Sequence, residues 1–130
     1  MESRPGRAFR RCGACRRGWQ TPDEFLDDPH VQVVGLQVAP HLPESNLLVF
    51  EHRCGSSLSV LAGRLRFLLP EPQEGAEAED LYGAEECNLY CRRLEEWAMC
   101  DRPCVNARDR RLLNLILHRK GQRVRGTPTG

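Results

Sequence analysis

Two pairs of potential metal ligands, Cys12-x-x-Cys15 and His52-x-Cys54, lie far apart in a chain of 130 residues. Each pair has the local shape of a chelate. Gly13 and Ala14 give the first the two-residue gap of a thiolate knuckle. The second follows the apolar run Leu47-Leu48-Val49-Phe50. On a strand, side chains at i and i+2 share a face, so His52 and Cys54 present an imidazole and a thiolate side by side. Three thiolates and one imidazole suit tetrahedral zinc. A chain that closes this set must fold its N-terminal turn against the corner at residues 52–54, which removes most alternative topologies.

Four protein ligands leave no open coordination position, so the expected site is structural and not catalytic. Metal binding would contribute on the order of 10–16 kcal/mol, the scale of zinc-finger peptides. A first module of roughly 60 residues is marginal without such help. The bland alternative is that Cys54 is a small buried hydrophobe and His52 a surface residue at a strand end. The imidazole favours zinc over iron. A Rieske iron–sulfur centre would need one Cys and one His in each half of the motif, which this pattern lacks.

Seven cysteines accompany an ordinary soluble composition, 40% apolar and 28% charged. No apolar run approaches a membrane span. The Arg-rich residues 1–17 lead into no apolar segment and do not read as a secretory signal. The expected compartment is the cytoplasm, with no membrane partner; thiols there stay reduced, and metal binding or redox chemistry outranks a disulfide framework. Charge is uneven although the net is only +1. Residues 1–20 hold six Arg against one Glu, residues 71–101 ten acidic groups against two basic, and residues 102–130 eight basic against one acidic.

Patterning predicts an α+β fold: a small antiparallel sheet with zinc-ribbon-like knuckles, followed by a C-terminal helical pair. Thr21-Pro22-Asp23-Glu24 is a capping box that starts a short helix through Phe25 and Leu26, ending near Asp28-Pro29. Val31–Val38 reads as a strand with a bulge at Gly35. Leu47–His52 is the next strand, Arg53 to Ser56 a corner, and Ser57–Val60 an antiparallel return. Leu61, Leu65, Leu68 and Leu69 fit a short amphipathic helix closed by Pro70. The domain expectation is a metal-binding β-rich module at 1–70, an acidic linker at 71–83, a Cys-containing helical pair at 84–120 and a flexible basic tail at 121–130. The pair would comprise a helix from Ala84 to Met99 and a second one, capped by Asp101, to about Arg119.

Cys87, Cys91, Cys100 and Cys104 form a second candidate site. Spacing i, i+4 puts each pair on one helix face, where the four thiols can hold a metal or iron–sulfur centre, cycle between dithiol and disulfide, or simply pack. Nearby Arg92, Arg93 and Arg102 favour thiolate character. Arg108, Arg111, Arg119, Lys120, Arg123 and Arg125 form a candidate polyanion-binding face, although a solvated face balancing the acidic centre is the favoured reading. No phosphate loop, Ser–His–Asp order or zinc-protease helix is present, and no catalytic residue is assigned.

The knuckle Cys12-Gly13-Ala14-Cys15 and the hairpin Phe50-Glu51-His52-Arg53-Cys54-Gly55 resemble the two halves of a zinc-ribbon or rubredoxin-like site. The wider pattern, with Gly-Ser-Ser-Leu after the second half and a Cys-rich C-terminal part, is similar to short bacterial proteins of uncharacterised function. His-x-Cys stands where ordinary ribbons carry a second C-x-x-C. The resulting expectation is a non-enzymatic zinc protein acting as a binding or regulatory module with a protein partner. The rivals are a redox protein using the C-terminal cysteines and a nucleic-acid-binding zinc protein.

Overall fold

The computed structural model describes residues 8–70, 80–85, 87, 89–100 and 104–122. It is α+β, with one two-stranded and one three-stranded antiparallel sheet and a C-terminal helix. Strands β1 (Arg10–Arg11) and β2 (Gly18–Trp19) form a short hairpin. Helix α1 (Pro22–Leu26) follows, started at the predicted cap: the Thr21 hydroxyl accepts from the Glu24 amide at 3.1 Å, while the Glu24 carboxylate accepts from the amide of Gln20, one residue before the cap, at 2.6 Å.

Strands β3 (Val31–Gln37), β4 (Leu47–His52) and β5 (Ser57–Leu61) form a meander in the order β3-β4-β5. The register of β3 on β4 shifts between Val33 and Gly35, the bulge the glycine predicts. Alternation decides what β4 buries. Leu48, Phe50 and His52 point inward as one row, so the last inward position of a hydrophobic strand is given to an imidazole.

Helix α2 (Val105–Arg119) packs Leu112, Leu113, Ile116 and Leu117 into the same core as Val31, Val33, Leu36, Phe50 and Trp97. The Cys104 thiol caps its N-terminus by accepting from the Asn106 amide at 3.4 Å. Gly121, at φ 70°, ends it, and the Gln122 amide donates back to the Leu117 carbonyl. Asp101, the expected cap, lies outside the described residues. Among the described residues no helix is long and apolar enough to cross a membrane.

Three expectations change. The stretch from Ala84 to Met99 is not a helix: among its described residues only Tyr90–Arg92 winds, as one 3-10 turn. Its backbone and side chains instead serve the outer edge of β3. The Leu36 amide donates to the Leu94 carbonyl at 3.2 Å, and the Trp97 indole donates to the Val34 carbonyl at 2.7 Å. Satisfying these exposed strand groups outweighs local helix propensity. The helical pair is therefore a single helix. The helix expected over Leu61–Leu69 is two 3-10 turns, Ala62–Arg64 and Arg66–Leu68, with Arg66 turned to bond Asp109 at 2.8 Å. Finally, the boundary drawn at residues 71–83 does not divide the core, because Trp97 and the α2 leucines complete the one begun by Phe9, Trp19 and Phe25. Of that linker, residues 71–79 lie outside the described residues, as does the tail from residue 123.

Candidate metal centre

Two tight turns build the site. In the first, the Cys12 amide donates to the Arg17 carbonyl at 2.7 Å and the Arg16 amide donates to the Cys12 carbonyl at 2.9 Å, between β1 and β2. Arg16 takes the left-handed conformation, φ 67°, that such a reversal needs. In the second, the His52 amide donates to the Ser56 carbonyl at 2.9 Å and the Gly55 amide donates to the His52 carbonyl at 2.8 Å. Here the left-handed residue is Gly55, φ 97°. The two turns repeat one design, with a ligand on each closing residue and another inside the loop.

The four predicted ligands meet: one sulfur or ring nitrogen from each of Cys12, Cys15, His52 and Cys54 falls within 4.8 Å of all the others. Cys12 Sγ lies 3.7 Å from Cys54 Sγ, and Cys15 Sγ lies 3.5 Å from His52 Nδ1. A tetrahedron with zinc–sulfur bonds of about 2.3 Å and zinc–nitrogen bonds of about 2.0 Å has sulfur–sulfur edges of ~3.8 Å and sulfur–nitrogen edges of ~3.5 Å. The two bridging distances match these edges. Within the second turn, His52 Nδ1 lies 3.2 Å from Cys54 Sγ, shorter than such an edge. Cys12, Cys15 and Cys54 carry no disulfide.

The surroundings favour thiolate. Backbone amides of Cys15 and then Ala14 donate to Cys12, with burial opposing them, and bring its thiol down to about 6. The Ser56 hydroxyl and amide, then His52, lower Cys54. The Arg17 amide pulls Cys15 the same way, but burial and the neighbouring Cys12 and Cys54 outweigh it, and its pKa is raised. Burial resists charge on His52, yet the adjacent Cys54 and Cys12 raise its basicity above the ordinary imidazole value. Thiolates this close compete for ionisation, and a bound dication would relieve that competition.

An outer layer holds the imidazole. His52 is buried and meets the Trp19 ring edge-on at 5.3 Å between centroids. The Trp19 indole donates to the Asp28 carboxylate at 2.8 Å, and Arg17 approaches the same carboxylate at 3.4 Å. Sequence spacing assigned Asp28 only to a helix end. Nothing in the pattern pairs it with Trp19 nine residues earlier, so this support was not legible.

Among the described residues the other candidates do not gather into a second centre, although Cys100 and Cys104 are charge neighbours of Cys91. The Cys87 sulfur accepts from the Leu89 amide at 3.3 Å, Cys91 lies 3.7 Å from an Arg110 guanidinium nitrogen, Cys100 is half-buried, and Cys104 caps α2. Among the described residues they form no second cluster able to hold a metal. The basic face is largely engaged internally. Arg108 pairs with Asp109 at 3.5 Å, and Arg119 reaches Asp23 and Asp27 at 3.0 Å each. The Lys120 ammonium donates to the carbonyls of Leu26 and Asp28. Arg111 is half-buried on α2, and Arg123 and Arg125 lie outside the described residues. Comparison with family models, curated proteins and solved structures finds no match to this chain.

Proposed function

We propose that this chain is a non-enzymatic zinc protein in which one structural ion ties the N-terminal hairpin to the β4–β5 corner, and that the fold so held acts as a binding or regulatory module. The observation that carries the reading is the convergence of all four ligand atoms within 4.8 Å, with two of the four inter-turn pairs at tetrahedral-edge distances. The donor set supports it: three sulfurs and one imidazole nitrogen form a closed, soft-to-borderline sphere that suits zinc and leaves no position for substrate. Reduced cysteines in such a site fit a cytoplasmic setting. The paired turns support a zinc-ribbon-like assignment on geometry alone.

Elemental analysis of the purified native protein tests it directly. One zinc per chain, lost together with tertiary structure on chelation, is the expected result. Cobalt substitution adds a spectroscopic check, since tetrahedral thiolate ligation gives intense visible bands. A folded protein free of metal, or one holding a coloured iron centre, would overturn the zinc reading.

A further inference from the structure

The converging turns gather more than ligands. Arg11 precedes Cys12, Arg16 and Arg17 follow Cys15, and Arg53 stands between His52 and Cys54. Because the four ligand atoms meet within 4.8 Å, these arginines are brought to one end of the molecule. All four are exposed. No carboxylate occurs from residue 8 to 19 or from 52 to 60. Asp28, which is buried, answers Arg17, and Glu51 lies on the outward face of β4. Among the described residues the Arg53 guanidinium bonds the ring of His30, at 3.1 Å. The Arg16 guanidinium makes no hydrogen bond or ion pair with the described residues. The C-terminal cations Arg119 and Lys120, by contrast, are held by α1 and its following turn.

We propose that this arginine end binds the phosphate backbone of nucleic acid without reading base sequence, an inference that rests on the zinc reading because the metal would hold the two turns together. Guanidinium forks match phosphate oxygens bidentately. A nucleic acid fits better than an acidic protein for a specific reason. Protein interfaces need a buried aromatic or aliphatic anchor, and the exposed large apolar residues Leu42, Leu61, Phe67, Leu89 and Met99 belong to neither turn. Leu61 sits at the far end of the β4–β5 hairpin, opposite Leu47. Backbone phosphate contacts need charge and donors alone. The absence of an exposed aromatic in either turn also excludes base stacking as the source of affinity there.

The test is fluorescence anisotropy of zinc-analysed protein with random-sequence DNA duplex, DNA single strand and RNA over a salt series. Binding should weaken steeply with salt. Arg16→Ala combined with Arg53→Ala should lower the magnitude of the log–log salt slope by about 1.8 and weaken binding roughly tenfold at constant salt, with metal content unchanged. Arg16→Glu, at a side chain that bonds none of the described residues, should weaken binding while leaving the fold intact. Arg92→Ala with Arg93→Ala should bind as the parent does. No binding at low salt, variants that bind like the parent, or displacement by charge-matched polyglutamate as effective as by oligonucleotide would overturn the proposal. Elemental analysis of the same preparation keeps the two readings apart: absence of metal overturns the zinc assignment, whereas bound metal without oligonucleotide binding overturns only the arginine face.

Discussion

A methyl group added at Gly35 would meet the carbonyl oxygen of Leu94 at 1.6 Å. The glycine that bulges β3 therefore also admits the backbone that covers it. Gly35→Ala should destabilise the protein by about 1–3 kcal/mol, the usual scale of overpacking, visible as a lower denaturant midpoint without loss of bound metal. At the centre itself, Cys54→Ala should abolish bound metal and unfold the N-terminal turn at neutral pH; a metal-replete, folded variant would contradict the assignment. Acid should act through the thiolates. Cys12 is depressed to about 6 by the Cys15 and Ala14 amides, so its contribution to stability is full above the ordinary thiol range and is lost as pH falls through about 6. Metal binding opposes protonation further, and release on acidification should therefore begin only below that value, as a metallochromic dye would report. Asp109 is a second sensitive position. It is fully buried, and Arg66 and Asn46 both donate to it at 2.8–2.9 Å. Asp109→Ala should cost about 1–3 kcal/mol, since it takes one acceptor from the half-buried Arg66 guanidinium and one from the buried Asn46 amide.

Among the elements, legibility followed the range of the forces involved. The β-branched run of β3, the capping box of α1 and the apolar run of β4 are local signals, and each element formed where they placed it, although β4 ends at His52 and Cys54 stands in the turn beyond it. Cys12, Cys15, His52 and Cys54 were legible as two chelating pairs for the same reason, and the fold joined the pairs. The stretch around Leu94 misled because Cys87, Cys91, Leu94 and Ala98 have helical spacing while their decisive partners are distant. Arg110, on α2 and fully buried, donates to the carbonyls of Glu96 and Ala98, bonds that a continuous helix would have used internally. Neither that arginine nor the edge of β3 is visible from the local pattern. A pairing between elements also accounts for the basic face. Arg119 bonds Asp23 and Asp27 and lowers the Asp27 pKa, fixing α1 to the end of α2. Arg119→Ala should lower the melting temperature slightly at low salt, with the difference shrinking as salt is added, because these carboxylates are exposed.

For the whole molecule, the core is common property. Phe9, Trp19 and Phe25 from the N-terminal part, the inward rows of the sheet, and Trp97 with Leu112, Leu113, Ile116 and Leu117 make one cluster. A fragment of residues 1–70 should fail to fold stably even with zinc, because it would expose the inward sheet face to water; a dispersed proton spectrum from that fragment would refute this. The polar seam between β4 and α2 argues the same way. The Asn46 amide donates to Asn106 and Asp109 at 2.9 Å each, tying the turn before β4 to the first half of the long helix.

The outer side of β3 is closed at three points by the Leu94 carbonyl, the Trp97 indole and the Gln122 amide group, which both donates to and accepts from Val33. Eighty-nine positions separate Val33 from Gln122. A growing polypeptide thus exposes an unsealed strand for most of its synthesis, and a neighbour's strand can dock there as readily as the intended cover. Any change that delays arrival of that cover should appear first as aggregation during expression, before any loss of equilibrium stability is measurable.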